Sequence, residues 1–115
     1  MSYDLGLYYG RTPATVARHT EGGTYAAGGI TNAELNVTYN YTNHFHEMLD
    51  AEQGIRWLYG KTGQETRERL RAAVEQLGVE RHDDYWKSTP GNAGYALSIL
   101  LAWAEQHPNA VWNGD

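Results

Sequence analysis

A segment near the end of the chain, residues 93–104, contains twelve consecutive residues without a charged side chain. Apolar residues occupy most sides of its helical projection, and a helix that is apolar all round is buried. Asn92 is a favourable N-cap, and Pro108 forces His107 out of the helical region. We therefore predict a core helix from Asn92 to about Gln106. A dozen apolar residues are too few to span a bilayer, which takes roughly twenty.

Apolar and polar residues alternate elsewhere with the period of two that indicates half-buried strands. This pattern predicts strands over Ser2 to Tyr9, Leu35 to Tyr39 and Ala110 to Trp112. A further short strand is predicted over Thr24 to Ala27, with Gly28-Gly29 as the turn that follows it.

The stretch from Gly10 to Gly23 lacks a sustained pattern. It contains Pro13, a Gly-Gly pair and scattered threonines, which are typical of loops. We predict a loop here, with one weak helical turn over Ala14 to His19.

Two more helices are predicted from caps and apolar stripes. Thr62 and Glu65 have the spacing of a capping box, and Gly78 closes the helix that follows. The predicted buried stripe of this helix consists of Leu70, Ala73, Val74 and Leu77. Glu65/Arg69 and Arg71/Glu75 are oppositely charged pairs at i, i+4 spacing. Thr42 is predicted to cap a shorter helix from Asn43 to about Ala51. The expected fold is a single α+β domain, residues 1–115, with a small, mainly antiparallel sheet packed against two or three helices.

Composition narrows the classes of function. Nine basic and fourteen acidic residues give a net charge of −5, which argues against binding to double-stranded nucleic acid or to a membrane surface. Cysteine is absent, so thiol chemistry is excluded. The N-terminus lacks the pattern of a secretory signal, so a cytoplasmic location is expected. Nine Tyr and four Trp against one Phe favour half-buried interfaces, and with them a homo-oligomer.

The polar face of the strand at 35–39 is the first candidate site. Asn36, Thr38 and Asn40 are predicted to point the same way, and asparagine is disfavoured in strands. Two interpretations stay open: the solvated face of an edge strand, or the amide-lined floor of a pocket.

A long polar connection, 79–91, delivers the second group of candidates to the start of the core helix. Open amides at a helix N-terminus, next to serine, threonine and lysine, form an anion cradle, although plain helix capping explains the same residues. One further segment, 54–60, supplies more rings and a cation. The predicted ligand-binding residues of the connection are Trp86, Lys87, Ser88, Thr89, Gly91 and Asn92. Those of the segment 54–60 are Arg56, Trp57 and Tyr59.

No catalytic, metal or cofactor site is predicted. His44 and His46 are two residues apart, so on a helix they face in nearly opposite directions and cannot share a metal. His82-Asp83-Asp84 could supply a base and ligands, but three adjacent polar loop residues are common in proteins.

From Leu35 onward the chain resembles small uncharacterised accessory proteins encoded by tailed phages of actinobacteria. The resemblance rests on Asn36-Val-Thr-Tyr-Asn40, on Asn92-Ala-Gly94 after Gly91, and on His107-Pro-Asn-Ala110. It implies a phage-borne protein acting in the host cytoplasm, and it transfers no catalytic residue. It also implies that the Asn36–Asn40 strand and the start of the core helix belong to one motif.

Three functions remain open at this point. The first is a non-enzymatic binding protein that captures a small anionic or nucleotide-like molecule, such as a signal of host defence. The second is an interaction or inhibitor protein that acts on a host macromolecule. The third is a small hydrolase that uses a histidine and a carboxylate.

Overall fold

The computed structural model describes residues 1–19 and 30–115, and within them it has the predicted α+β architecture. The strand predicted over Thr24 to Ala27 and the turn at Gly28-Gly29 lie outside the described residues. The described elements are β1 (Ser2–Tyr9), β2 (Thr12–Pro13), β3 (Thr15–His19), β4 (Ile30–Asn32), β5 (Glu34–Thr38), α1 (Thr42–Met48), α2 (Gly63–Leu77), α3 (Pro90–Gln106) and β6 (Val111–Gly114), with 3₁₀ turns at Tyr39–Tyr41 and Gly54–Leu58.

Strand β1 is the centre of a four-stranded antiparallel sheet. Its residues Leu5 and Gly6 pair with β5 on one edge and with β6 on the other. Strand β2 continues the β5 side through a tight hairpin with the end of β1. Alternation then sends Tyr3, Leu5 and Leu7 into the core, as predicted for a half-buried strand.

The prediction of a helical turn over Ala14 to His19 is wrong. Thr15–His19 is strand β3, which pairs antiparallel with β4 in a separate two-stranded ribbon. Thr15 and Val16 are β-branched and favour extended backbone, and Ala14 bonds Leu7 and Ala33 across the neighbouring sheet. Pairing with β4, which lies further along the chain, therefore determines the extended conformation of this segment.

The core helix begins two residues earlier than predicted. Thr89, not Asn92, is the N-cap of α3, and its hydroxyl accepts a hydrogen bond from the Asn92 amide at 3.1 Å. Pro90 occupies the first turn, where its missing N–H costs nothing. The predicted end at Gln106 and the burial of Leu97, Leu100 and Trp103 are confirmed.

Helix α2 matches its sequence signals closely. The Thr62–Glu65 capping box is present, Leu70 and Ala73 are buried, and Gly78 closes the helix with a φ of 77°. Its charged side chains find partners other than those predicted at i, i+4. Glu65 serves the capping box, Arg69 donates to the Leu49 carbonyl, and Arg71 pairs with Glu105 of α3 at 2.8 Å.

Helix α2 packs against α3 and, through one buried polar contact, against β6. A Cβ atom on Gly63 would lie 2.8 Å from the Ala104 carbonyl oxygen, so glycine permits the close approach of the helices. The Trp112 indole N–H donates to the Thr66 hydroxyl at 2.8 Å, and both side chains are fully buried. Thr66 in turn donates to the Thr62 carbonyl.

The segment between β5 and α2 differs in detail from its prediction. Helix α1 spans Thr42–Met48, so it starts at the residue predicted to cap it and ends before Ala51. Tyr41 holds the N-cap position without a side-chain cap hydrogen bond, and the Thr42 hydroxyl donates to the Tyr39 carbonyl. Throughout the described ranges, no helix combines the length and apolar character that a bilayer-spanning segment needs.

Candidate functional site

The predicted row of Asn36, Thr38 and Asn40 is broken where strand β5 ends. Asn36 donates to the Ser2 hydroxyl at 2.6 Å and to Asp4 at 2.7 Å, across the open face of the sheet. Thr38 is buried and caps the 3₁₀ turn, which carries Asn40 out of the strand. Asn40 instead donates to the Trp86 carbonyl at 2.8 Å. The three side chains therefore fasten neighbouring parts of the chain and share no single pocket floor.

Tyr85, from the connection between α2 and α3, covers the outer edge of β5. Its hydroxyl accepts from the Thr38 amide at 3.3 Å and donates to the Asn36 carbonyl at 3.5 Å. These are the backbone groups that an added strand would pair with, so one side chain protects the edge. Tyr41, fully buried, donates from its hydroxyl to the Tyr85 carbonyl.

Asn92 fixes the same connection from the helix side. Its buried side chain accepts from the His82 amide at 2.8 Å and donates to the carbonyls of Asp84 at 3.0 Å and Lys87 at 2.8 Å. Both amide hydrogens of the side chain are thus used inside the protein. Asn92 is a clamp for the 82–87 turn, which explains its burial in the first turn of α3.

Two glycines let the connection lie directly on α3. A Cβ atom on Gly91 would overlap the Glu80 carbonyl, and one on Gly94 would overlap the Gly78 carbonyl. The sequence Gly91-Asn-Ala-Gly94 therefore holds the connection in place through close backbone contact and the Asn92 side chain. The start of the helix, predicted as an anion cradle, is covered by its own connection on this side.

The remaining predicted residues of the connection have separate surroundings. Ser88 donates to the Asn43 side chain at 3.0 Å, and Thr89 is occupied as the helix cap. Trp86 and Lys87 are exposed. The structure thus brings the first and second candidate groups together through internal hydrogen bonds.

The third group, Arg56, Trp57 and Tyr59, makes contacts elsewhere in the molecule. Arg56 stacks over Tyr3 at 4.9 Å and donates from Nε to the Asp115 backbone oxygen at 3.1 Å, which Tyr59 also contacts. Trp57 is flanked by Lys61 at 4.6 Å and Arg69 at 4.8 Å. Arg56 and Tyr59 form one cluster with the sheet, and Trp57 forms another with α2.

Exposed side chains next to the clamp include Trp86, which the sequence singled out, and Val79, Arg81 and Tyr95, which it did not. Trp86 and Tyr95 are each 38% exposed, Val79 is 48% exposed, and the Arg81 guanidinium lies 4.6 Å over the Tyr95 ring. Tyr95 follows Asn92 by three residues, which places the two on neighbouring positions of α3. We call Val79, Arg81, Trp86 and Tyr95 the aromatic loop surface: Arg81 and Tyr95 are in contact, and Val79 and Trp86 are exposed residues of the same connection. Tyr95 belongs to a helix that is apolar on most sides, so the sequence pattern does not mark it as exposed.

Two open cavities of about 290 Å³ each occur among the described residues, and both are lined by residues outside the predicted set. One lies between β3 and α3, where the His19 ring packs on Trp103 at 4.7 Å. The other lies beside Tyr8 on the open sheet face. In the two described ranges, no three His, Asp or Glu side chains are grouped as metal ligands would be. His82 and Asp84 instead bond the turn itself, to the amides of Asp84 and Trp86.

The raised pKa values of three tyrosines lead us to expect a loss of stability at alkaline pH. Burial raises the pKa of Tyr8 and of Tyr59 to about 12, and it raises the pKa of the fully buried Tyr41 as well. The neutral form is favoured in the folded state, so the contribution of these tyrosines to stability is fully present below the unfolded pKa of 10.0 and is lost as the pH rises toward 12. The urea midpoint should therefore drop between these pH values, and Tyr59→Phe should reduce the drop. A midpoint that stays flat to pH 12 would contradict the assigned burial.

Comparison with known proteins finds no relative of this chain. No protein-family model matches the chain, and no curated protein or solved structure is significantly similar to it. The resemblance to phage accessory proteins thus stays a prediction.

Proposed function

We propose that this chain is a non-catalytic binding protein that engages another protein through the aromatic loop surface. One observation carries the proposal: Trp86 and Tyr95 are exposed, yet they are attached to a turn and a helix that Asn92 locks together. Trp, Tyr and Arg are the residues that contribute most to binding at protein interfaces. The aromatic loop surface supplies all three within a short stretch of chain.

Internal fixation of the connection supports this assignment. Hydrogen bonds from Asn40 and Asn92, together with the Tyr85 contacts on β5, hold the turn at several points. A surface that is ordered before binding loses little conformational entropy on association, and this favours affinity. The side-chain NH₂ groups that the pocket interpretation assigned to a ligand are used inside the chain: that of Asn40 donates to the Trp86 carbonyl, and that of Asn36 donates to Ser2 and Asp4.

The partner fits the expected setting of the protein. The net charge of −5 disfavours nucleic acid, which leaves a protein as the macromolecular partner. The resemblance to phage accessory proteins leads us to propose a host protein of the bacterial cytoplasm. A second copy of this chain is the other occupant that exposed aromatic rings can take up, as the expected homo-oligomer would require.

The test is a quantitative capture experiment with an actinobacterial host lysate. The protein should recover one host protein in a fixed ratio, and Trp86→Ser combined with Tyr95→Ser should weaken that binding by at least about tenfold. The matched control is Tyr9→Ser, which removes another exposed tyrosine, 49% exposed, at the far end of β1. It should leave recovery unchanged.

Two outcomes would overturn the proposal. One is equal recovery of the partner by the Trp86/Tyr95 double variant and by the unmodified protein. The other is a native mass spectrum in which Trp86→Ser/Tyr95→Ser leaves every bound species, protein or small molecule, unchanged.

A further inference from the structure

The geometry points to a second binding site, on the open face of the sheet, that takes a small planar ring bearing a carboxylate or phosphate. Its cavity of about 290 Å³ is lined by Tyr8, Gly10, Arg11, Asn113 and Gly114. None of these residues belongs to the aromatic loop surface or to the sites predicted from the sequence. The inference therefore goes beyond the proposed protein partner and can fail independently of it.

The pairing register of the sheet determines which residues lie beside this cavity. Gly6 of β1 pairs with Asn113 on one side and with Glu34 on the other. Tyr8 points to the same face as Gly6, and its ring folds back over that glycine: a Cβ atom on Gly6 would lie 2.9 Å from the Tyr8 hydroxyl oxygen. The missing side chain at Gly6 is what gives the ring its place on the sheet.

The Tyr8 ring is held in this position by its hydroxyl. It donates to Glu34 at 2.9 Å, and Glu34 also accepts from Asn32. Burial and this hydrogen bond raise the pKa of Tyr8 to about 12, so the hydroxyl stays protonated at neutral pH. A ring fixed at both ends and lining an open cavity is a platform on which another ring can stack.

Two donor groups flank the platform. Arg11 lies in the β1–β2 turn beside Gly10, whose φ is 63°, and its guanidinium has no hydrogen-bond or carboxylate partner among the described residues. Asn113 also lines the cavity; its side-chain oxygen accepts from the Gly114 amide at 2.8 Å, and its NH₂ group has no hydrogen-bond partner among the described residues. A guanidinium and an amide donor together match an oxyanion.

Charge and volume specify the class of ligand. The five lining residues carry one positive charge and no carboxylate, in a chain whose net charge is −5. Ligand pockets for drug-sized molecules start at about 300 Å³, so a cavity of this size suits one ring with a short anionic group. A pyrimidine nucleoside monophosphate has this chemistry and provides a practical probe.

The test is a titration of ¹⁵N-labelled protein, followed by amide chemical shifts. Uridine 5′-monophosphate should shift the Gly10 and Gly114 amides and the Asn113 side-chain NH₂ with a dissociation constant of about 1 mM or below. Uridine and inorganic phosphate, each alone, should bind at least about tenfold more weakly. Arg11→Met should weaken binding of the monophosphate by about tenfold, as the loss of one charge-assisted contact predicts.

Controls separate a site from general charge effects. Arg71→Met removes one positive charge from α2, far along the chain from the cavity, and should leave the titration unchanged. Asn113→Asp keeps the shape of the side chain but replaces the donor by a carboxylate, and it should abolish the shifts. Equal binding by Arg11→Met, equal shifts with phosphate alone, or no shifts with the monophosphate would each overturn the inference. Trp86→Ser should not alter this titration, which distinguishes the site from the proposed protein interface.

Discussion

Replacement of Asn92 by alanine is expected to lower the free energy of unfolding by about 3 kcal/mol, measured by urea denaturation. The substitution removes one acceptor and two donors at once, from the His82 amide and from the Asp84 and Lys87 carbonyls. Each backbone group left without a partner costs about 1–3 kcal/mol where it stays out of water, and partial access of solvent in the connection reduces the sum. A loss below about 1 kcal/mol would contradict the assignment of Asn92 as a clamp.

Asn92→Asp is the sharper comparison because it keeps the size of the side chain. Aspartate retains the acceptor for the His82 amide but replaces the two donated hydrogen bonds with a carboxylate facing carbonyl oxygens. Burial of that charge without a partner is unfavourable, so the variant should be no more stable than Asn92→Ala. Wild-type stability of Asn92→Asp would show that the two donated bonds contribute nothing.

Replacement of Trp112 by alanine is expected to cost about 4 kcal/mol, the larger of the two effects. The indole is fully buried between the sheet and α2, and its removal leaves a large cavity and takes away the hydrogen bond that the Thr66 hydroxyl accepts. The melting temperature should fall by roughly 15 °C for a domain of this size.

Thr66→Val separates the polar part of this effect from the apolar part. Valine fills nearly the same volume as threonine but leaves the Trp112 indole N–H buried without an acceptor, at an expected cost of about 2 kcal/mol. Thr66→Ser keeps the hydroxyl and should cost less than Thr66→Val. The reverse order would show that packing at Thr66, and not its hydrogen bond, holds β6 to α2.

Local signals in the sequence predicted most of the elements. Three such signals are the alternation of Ser2–Tyr9, the Thr62–Glu65 capping box and the helix stop at Pro108. Each acts within a few residues, so its effect on local structure does not depend on distant parts of the chain. Strand β3 was missed because its conformation depends on pairing with β4, and such pairing leaves little trace in the sequence of one strand.

The candidate residues were singled out for a sound reason, and the structure gives Asn40 and Asn92 hydrogen-bond partners within the chain. Asparagine is unusual in a strand and at a buried helical position, so Asn40 and Asn92 did mark something specific. Sequence cannot show whether an amide faces a ligand or a carbonyl of its own chain, because the 82–87 turn has no regular pattern that would place it. Tyr95 was missed because its helix is apolar on most sides, and the exposed sector is too narrow to stand out.

The measurement that tests the central claim most directly is hydrogen exchange at the His82 amide. That amide belongs to an exposed residue in an irregular connection, yet it donates to the buried Asn92 side chain at 2.8 Å. If the connection is fixed before any partner binds, His82 should be protected far more than its neighbour Asp83, and Asn92→Ala should abolish the difference. Exchange of His82 as fast as that of Asp83 in the unmodified protein would contradict a preformed aromatic loop surface.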